Sequence, residues 1–174
     1  VASNDAARLM GQRMFNNNCA LCHGQGGAGA YGFPNLSDSA WLYGGSGETI
    51  KASITNGRTG AMPPWGAIIG EDGVRNVTSY VLSLSGQDVD AKAATQGQTT
   101  YQAMCVACHG VNGEGNQMLG APNLTDDTWL YGSSFEKVAH SIRQGRNGVM
   151  PAHGTLLSED KIHLISGYVY SLSN

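Results

Sequence analysis

Apolar side chains recur along this chain at helical spacing. Val74, Val77, Thr78, Val81 and Leu84 form an i, i+3, i+4, i+7 stripe, and Ile162, Ile165, Ser166, Val169 and Leu172 repeat it. Ser158, followed by Glu159 and Asp160, reads as an N-cap with an acidic first turn. Ser133 with Glu136 reads as a capping box that opens a helix stopping at Gly145, and Gly57 closes the matching helix upstream. Alternating β-branched runs are absent. The pattern predicts an all-α fold with three main helices near 5–18, 47–56 and 71–84, followed by a second set of the same kind.

The second set is a copy of the first. Gly11, Cys19, Cys22, His23 and Gly24 match Gly97, Cys105, Cys108, His109 and Gly110 at a constant shift of 86. Further on the shift becomes 88, pairing Pro34-Asn35-Leu36 with Pro122-Asn123-Leu124, Trp41-Leu42-Tyr43-Gly44 with Trp129-Leu130-Tyr131-Gly132, Met62-Pro63 with Met150-Pro151, and Tyr80 with Tyr168. Two residues are therefore inserted in the second copy, between Gly115 and Gly120. Two copies are too few and too long for a solenoid, so the pattern predicts two tandem domains, 1–86 and 87–174. The polar stretch from Gly86 to Asp90 serves as the linker, short enough to keep the domains close. Domains of this size bury a poor core unaided, so something besides side chains is expected to fill each centre.

Composition narrows the class. Glycine supplies 25 of 174 residues, which implies many turns at positive φ. No apolar run approaches the ~20 residues of a membrane-spanning helix. The chain opens on Val1 with no charged-then-apolar leader, so its natural start is taken to lie upstream. A net charge of −3 argues against nucleic acid, which needs clustered Lys and Arg. Residues 1–86 carry five basic and five acidic side chains and residues 87–174 five and eight, so a charge-steered partner should prefer the second half.

Cys19-Ala20-Leu21-Cys22-His23 and Cys105-Val106-Ala107-Cys108-His109 share the spacing of c-type haem attachment. Cysteines three apart on a helical turn face one side and can reach the two vinyl groups of one porphyrin, while the adjoining His points at the iron. A Cys-only zinc site would have to join both copies, and a redox pair expects a βαβ context that is missing. Two covalent haem c groups are the expectation. Met62, 39 residues after His23, and Met150, 41 after His109, stand before prolines in glycine-bounded loops and are the expected sixth ligands. Replacing either should lower the potential of its own haem only. Met10, Met14, Met104 and Met118 lack partners at the repeat shift, and Met118 is the one competitor. His153 aligns with Trp65, which cannot bind iron, and His140 and His163 also lack His partners. Arg58 and Arg146, four residues before the methionines, are either ordinary exposed side chains or partners of a haem propionate. Trp41 and Trp129 either pack in the core or lie against haem as propionate donors. His/Met ligation with both axial positions filled favours electron transfer over oxygen chemistry.

These residues resemble the class I cytochromes c across the whole chain. That resemblance implies a crossing of first and last helices in which Gly11 and Phe15 meet Tyr80, and Gly97 and Tyr101 meet Tyr168. The strings Gly32-Phe33-Pro34-Asn35-Leu36, Trp41-Leu42-Tyr43-Gly44-Gly45, the run from Gly120 to Asp127 and the run from Tyr168 to Ser173 resemble the diheme subunit III of cbb3-type cytochrome c oxidases. The resemblance implies a non-catalytic periplasmic subunit that accepts electrons from soluble cytochromes and passes them to other oxidase subunits. The family's N-terminal transmembrane helix is missing, so membrane contact is expected only through an anchor outside this chain. Two other readings fit the same residues: a free periplasmic diheme shuttle of the cytochrome c4 sort, and a diheme peroxidase, which needs one iron with an open or displaceable site.

Overall fold

The computed structural model describes residues 4–173. In chain order its elements are α1 (Asp5–Asn18), α2 (Ala20–His23), α3 (Gly47–Asn56), β1 (Arg58–Met62), α4 (Gly66–Leu84), α5 (Ala91–Met104), α6 (Val106–His109), α7 (Phe135–Gln144), β2 (Arg146–Met150) and α8 (Glu159–Tyr170). The helices agree with the sequence pattern. The expectation of an all-α fold is modified by β1 and β2, five residues each, which form one two-stranded sheet. Gly70 has φ 68° inside α4, so the continuous part of that helix runs from residue 71 as predicted. The predicted capping box at Ser133 is displaced by one residue. Ser134 is the N-cap and its side chain makes no capping bond, which puts Glu136 at the second helical position, where it complements the helix dipole instead. Ser158 caps α8 by its extended backbone, likewise without a side-chain bond. Among the described residues no helix is long and apolar enough to cross a membrane.

The chain divides into two compact units whose boundaries differ from the repeat boundary. One comprises the residues up to Thr59 together with those from Gly148 onward; the other is Gly60–Asn147. In the first unit α1 packs on α8 and α3 packs on α8. Asn4 caps α1 by accepting from the Ala7 amide at 3.0 Å, and Ser46 caps α3 by accepting from the Thr49 amide at 3.2 Å. Phe15, Ile50, Ile54, Ile162, Ile165, Tyr168 and Val169 form its core. In the second unit α4 packs on α5 and on α7, with Asp90 capping α5, around Val74, Val77, Val81, Leu82, Tyr101, Leu124, Val138, Ala139 and Ile142.

The helix crossing expected within each repeat is therefore exchanged between them. Phe15 lies against Tyr168, ring centroids 5.4 Å apart, and Tyr80 against Tyr101 at 5.1 Å. Gly11 has no room for a Cβ, which would overlap the Leu164 carbonyl and lie 2.8 Å from Tyr168 Cβ, and a Cβ on Gly97 would overlap the Asn76 carbonyl. The domains expected at 1–86 and 87–174 exist as sequence repeats, while the compact units take one part from each. Two physical reasons account for this. The short connection between α4 and α5 favours an antiparallel helix pair, whose closure costs little entropy. The contact residues of the two repeats are also near duplicates, so either last helix satisfies either first helix.

Candidate haem-binding sites

Each Cys-x-x-Cys-His segment is one helical turn. The His23 amide donates to the Cys19 carbonyl and the His109 amide to the Cys105 carbonyl, both at 2.9 Å. This puts the paired sulfurs on one side, Cys22 and Cys108 exposed and Cys19 and Cys105 half-buried. After each motif a glycine loop folds back: the Gly29 amide donates to the His23 carbonyl at 2.7 Å and the Gly115 amide to the His109 carbonyl at 2.8 Å. The two-residue insertion falls in the second loop, closed by the Asn116–Ala121 bridge where the first has Ala30–Phe33.

The loops orient the histidines. His23 Nδ1 lies 2.9 Å from the Pro34 carbonyl oxygen and His109 Nδ1 3.2 Å from that of Pro122. A carbonyl only accepts, so Nδ1 carries the proton and Nε2 keeps its lone pair for a metal. Burial lowers the His109 pKa, partly opposed by the Pro122 bond, which favours the neutral, ligating imidazole. Burial, with the neighbouring cysteine's charge adding to it, pushes the Cys19 and Cys105 thiols up to about 11. A reactive redox pair needs a depressed thiol pKa, so the geometry suits thioether anchoring better than thiol exchange.

The methionines separate by burial. Met150 packs against the first unit's core with Cys19 and Trp41, and Met62 against the second unit's core with Cys105 and Trp129. Met118, the sequence competitor, is 92% exposed. Trp41 and Trp129 are partly buried and pack against the same two cores. His140 and His163 are exposed, whereas His153 is partly buried and its Nδ1 has no partner.

Arg58 and Arg146 are half-buried rather than free in solvent. Arg58 Nε donates to Ser53 Oγ at 2.8 Å, and its guanidinium lies 4.6 Å from the centroid of the Tyr43 ring. Arg146 repeats this with Ser141 at 2.9 Å and Tyr131 at 4.0 Å. Arg146 Nη2 is buried without a partner. Leaving a charged donor so costs ~2 kcal/mol or more, so this cradle fits an anionic acceptor such as a porphyrin propionate. The sequence reading missed Ser53 and Ser141, although both match at the shift of 88.

The family described as cytochrome C oxidase, cbb3-type, subunit III matches residues 6–81 and again 92–169. The cbb3-type cytochrome c oxidase subunit CcoP of Rubrivivax gelatinosus is 45% identical over 174 residues, covering 99% of this chain and 57% of that protein. Subunit FixP of Azorhizobium caulinodans is 45% identical over 95% of the chain and 60% of its own length, and that of Bradyrhizobium diazoefficiens 44% over 95% and 61%. The chain thus spans about three-fifths of these relatives. With two attachment motifs, two oriented histidines and a family match to both repeats, the chain belongs to the subunit III family of cbb3-type cytochrome c oxidases.

Proposed function

We propose that this chain carries electrons through two covalently bound haem c groups, as the periplasmic electron-accepting portion of a cbb3-type oxidase subunit rather than its catalytic centre. The observation that carries the reading is the doubled Cys-x-x-Cys-His turn whose histidine is tied through Nδ1 to a proline carbonyl. Haem supplies one-electron iron redox chemistry when bound. The residues of the chain do the rest. Cys19, Cys22, Cys105 and Cys108 would anchor the porphyrins; His23 and His109 would supply nitrogen ligands, Met62 and Met150 sulfur, and Arg58 and Arg146 would pair with the propionates. Trp41 and Trp129 fill the core beside them. A haem held by both a histidine and a methionine would have no position left for a substrate, which favours a carrier over a peroxidase.

Soluble cytochromes are the proposed donors and the other oxidase subunits the proposed acceptors. The unit of residues 60–147 carries five basic and eight acidic side chains, the whole net deficit, while the other unit is balanced. The acidic surface therefore accompanies the second attachment motif. A basic donor should associate more slowly as salt shortens the screening length. Stopped-flow reduction at low and high ionic strength reads this directly, and a salt-independent rate would refute acidic-unit docking.

Arg146→Gln is expected to lower the potential of one haem by roughly 1 kcal/mol, about 40 mV for a one-electron couple, because a positive charge beside the haem favours the reduced state. Spectroelectrochemical titration checks this. The function as a whole is tested by intact mass. Two covalent haems and two low-spin His/Met spectra that ignore carbon monoxide support the relay; a chain without added haem mass ends it.

A further inference from the structure

We propose that the exposed Met118-Leu119 tip is the apolar contact on which a lysine-rich soluble electron-donor protein docks, with Glu114, Asp126 and Asp127 as its charge partners. This rests on the acidic-unit docking proposed above and names the surface that does it. The tip is a product of the insertion. In the first repeat two residues, Tyr31 and Gly32, separate the bridged pair Ala30 and Phe33; in the second, four separate Asn116 from Ala121. The longer loop holds Met118 in solvent at 92% exposure and Leu119 at 53%.

Single exposed apolar side chains are ordinary, but these two are adjacent and fixed in place. Asn116 organises the turn. Its Oδ1 accepts from the Met118 amide at 2.9 Å, its carbonyl accepts from the Leu119 and Ala121 amides, both at 3.1 Å, and its amide donates to the Ala121 carbonyl at 2.9 Å. Gly120 closes the turn at φ 68°. The base of the loop is tied to the attachment motif, because the Gly115 amide donates to the His109 carbonyl and the Pro122 carbonyl accepts from His109 Nδ1. Little backbone entropy is left to lose when a partner covers the tip, and the unbranched thioether of Met118 adapts to the partner's shape. Met104 and Val111, on either side of the same one-turn motif, are exposed as well.

Charge selects the partner. Between Lys92 and Lys137 the chain has no Lys or Arg and four carboxylates, Glu114, Asp126, Asp127 and Glu136. At the positions matching the first three, the first repeat has Ala28, Asp38 and Ser39. Glu114 stands at the base of the loop, where its Oε2 accepts from the Asn112 amide at 2.9 Å. The Leu124 amide donates to the Gly113 carbonyl at 2.7 Å, which brings the segment leading to Asp126 and Asp127 alongside that base. An apolar tip among carboxylates suits a protein that presents lysines around an apolar patch, and repels an acidic one.

The test uses the full holoprotein and zinc-substituted mitochondrial cytochrome c, a basic donor surrogate that cannot pass an electron in the dark. Met118→Gln combined with Leu119→Gln should weaken binding about tenfold at low ionic strength, with both haem potentials and the slope of affinity against salt unchanged. Glu114→Gln combined with Asp127→Asn should flatten that slope. Ile68→Gln, at an exposed apolar position on α4 of the same unit, is the control and should change neither. Undiminished binding by the double glutamine variant, or an equal loss in Ile68→Gln, overturns the tip as the contact. Wild-type affinity that ignores salt overturns the acidic-unit reading instead, so the two failures are distinct. Sedimentation without donor addresses the other occupant: a dimer that the double glutamine variant converts to monomer would assign the tip to a second copy of this chain and overturn the proposal.

Discussion

Phe15→Ala is expected to destabilise the unit built on α1, α3 and α8 by about 3–5 kcal/mol, as is usual for a large core side chain cut back to a methyl. Phe15 is fully buried, and its ring is tilted against Tyr168. The same position of the second repeat is Tyr101, also fully buried, whose hydroxyl donates to the Gly110 carbonyl at 2.8 Å. Burial raises the Tyr101 pKa, so the neutral phenol is the form that makes this bond. Urea unfolding followed by circular dichroism measures the loss. A double-mutant cycle gives the sharper result. Phe15→Leu and Tyr168→Leu should couple by about 0.5–1.5 kcal/mol, the range for an aromatic pair, whereas Phe15→Leu and Tyr80→Leu should be additive. Coupling to Tyr80 instead would mean that each repeat closes on itself.

Gly57→Ala and Gly145→Ala form the second large prediction. Both glycines end a helix at φ near 70° with extended ψ, −178° and −176°, a combination essentially restricted to glycine. That conformation alone costs a side-chain residue about 1–3 kcal/mol, and the added methyl would also collide with the neighbouring methionine loop. A lower melting temperature is expected, with loss of the methionine-to-iron absorption band on one haem for each variant. An unchanged melting temperature with both bands intact would show that the loops are not seated on these glycines. The exposed ion pairs offer a contrast. Lys51–Glu159 and Arg143–Glu71 lower the pKa of their carboxylates, through the hydrogen bond first, yet lie in solvent, so breaking either should scarcely move the melting temperature.

Local chemistry was legible in the residues themselves. Helical stripes, terminal glycines and the Cys-x-x-Cys-His spacing depend on neighbours a few positions apart, and the helices and the one-turn motifs agree with that reading. The arginine cradles were half legible: Arg58 and Arg146 stood out by position, but only the fold shows Nη2 of Arg146 buried without a partner. The misplaced capping box followed from adjacent serines, Ser133 and Ser134, between which a spacing rule cannot choose.

What the sequence by itself determined is the parts list: two sets of helices, two Cys-x-x-Cys-His turns and two Met-Pro loops. Only the tertiary structure decided the partners, putting α8 on α1 and α5 on α4. Duplication is the reason. When Tyr80 and Tyr168 are the same residue in the same local pattern, pairwise preference cannot rank them. The choice passes to connection length, to the extended strands and to the glycines that let a methionine loop settle against one helix end rather than the other.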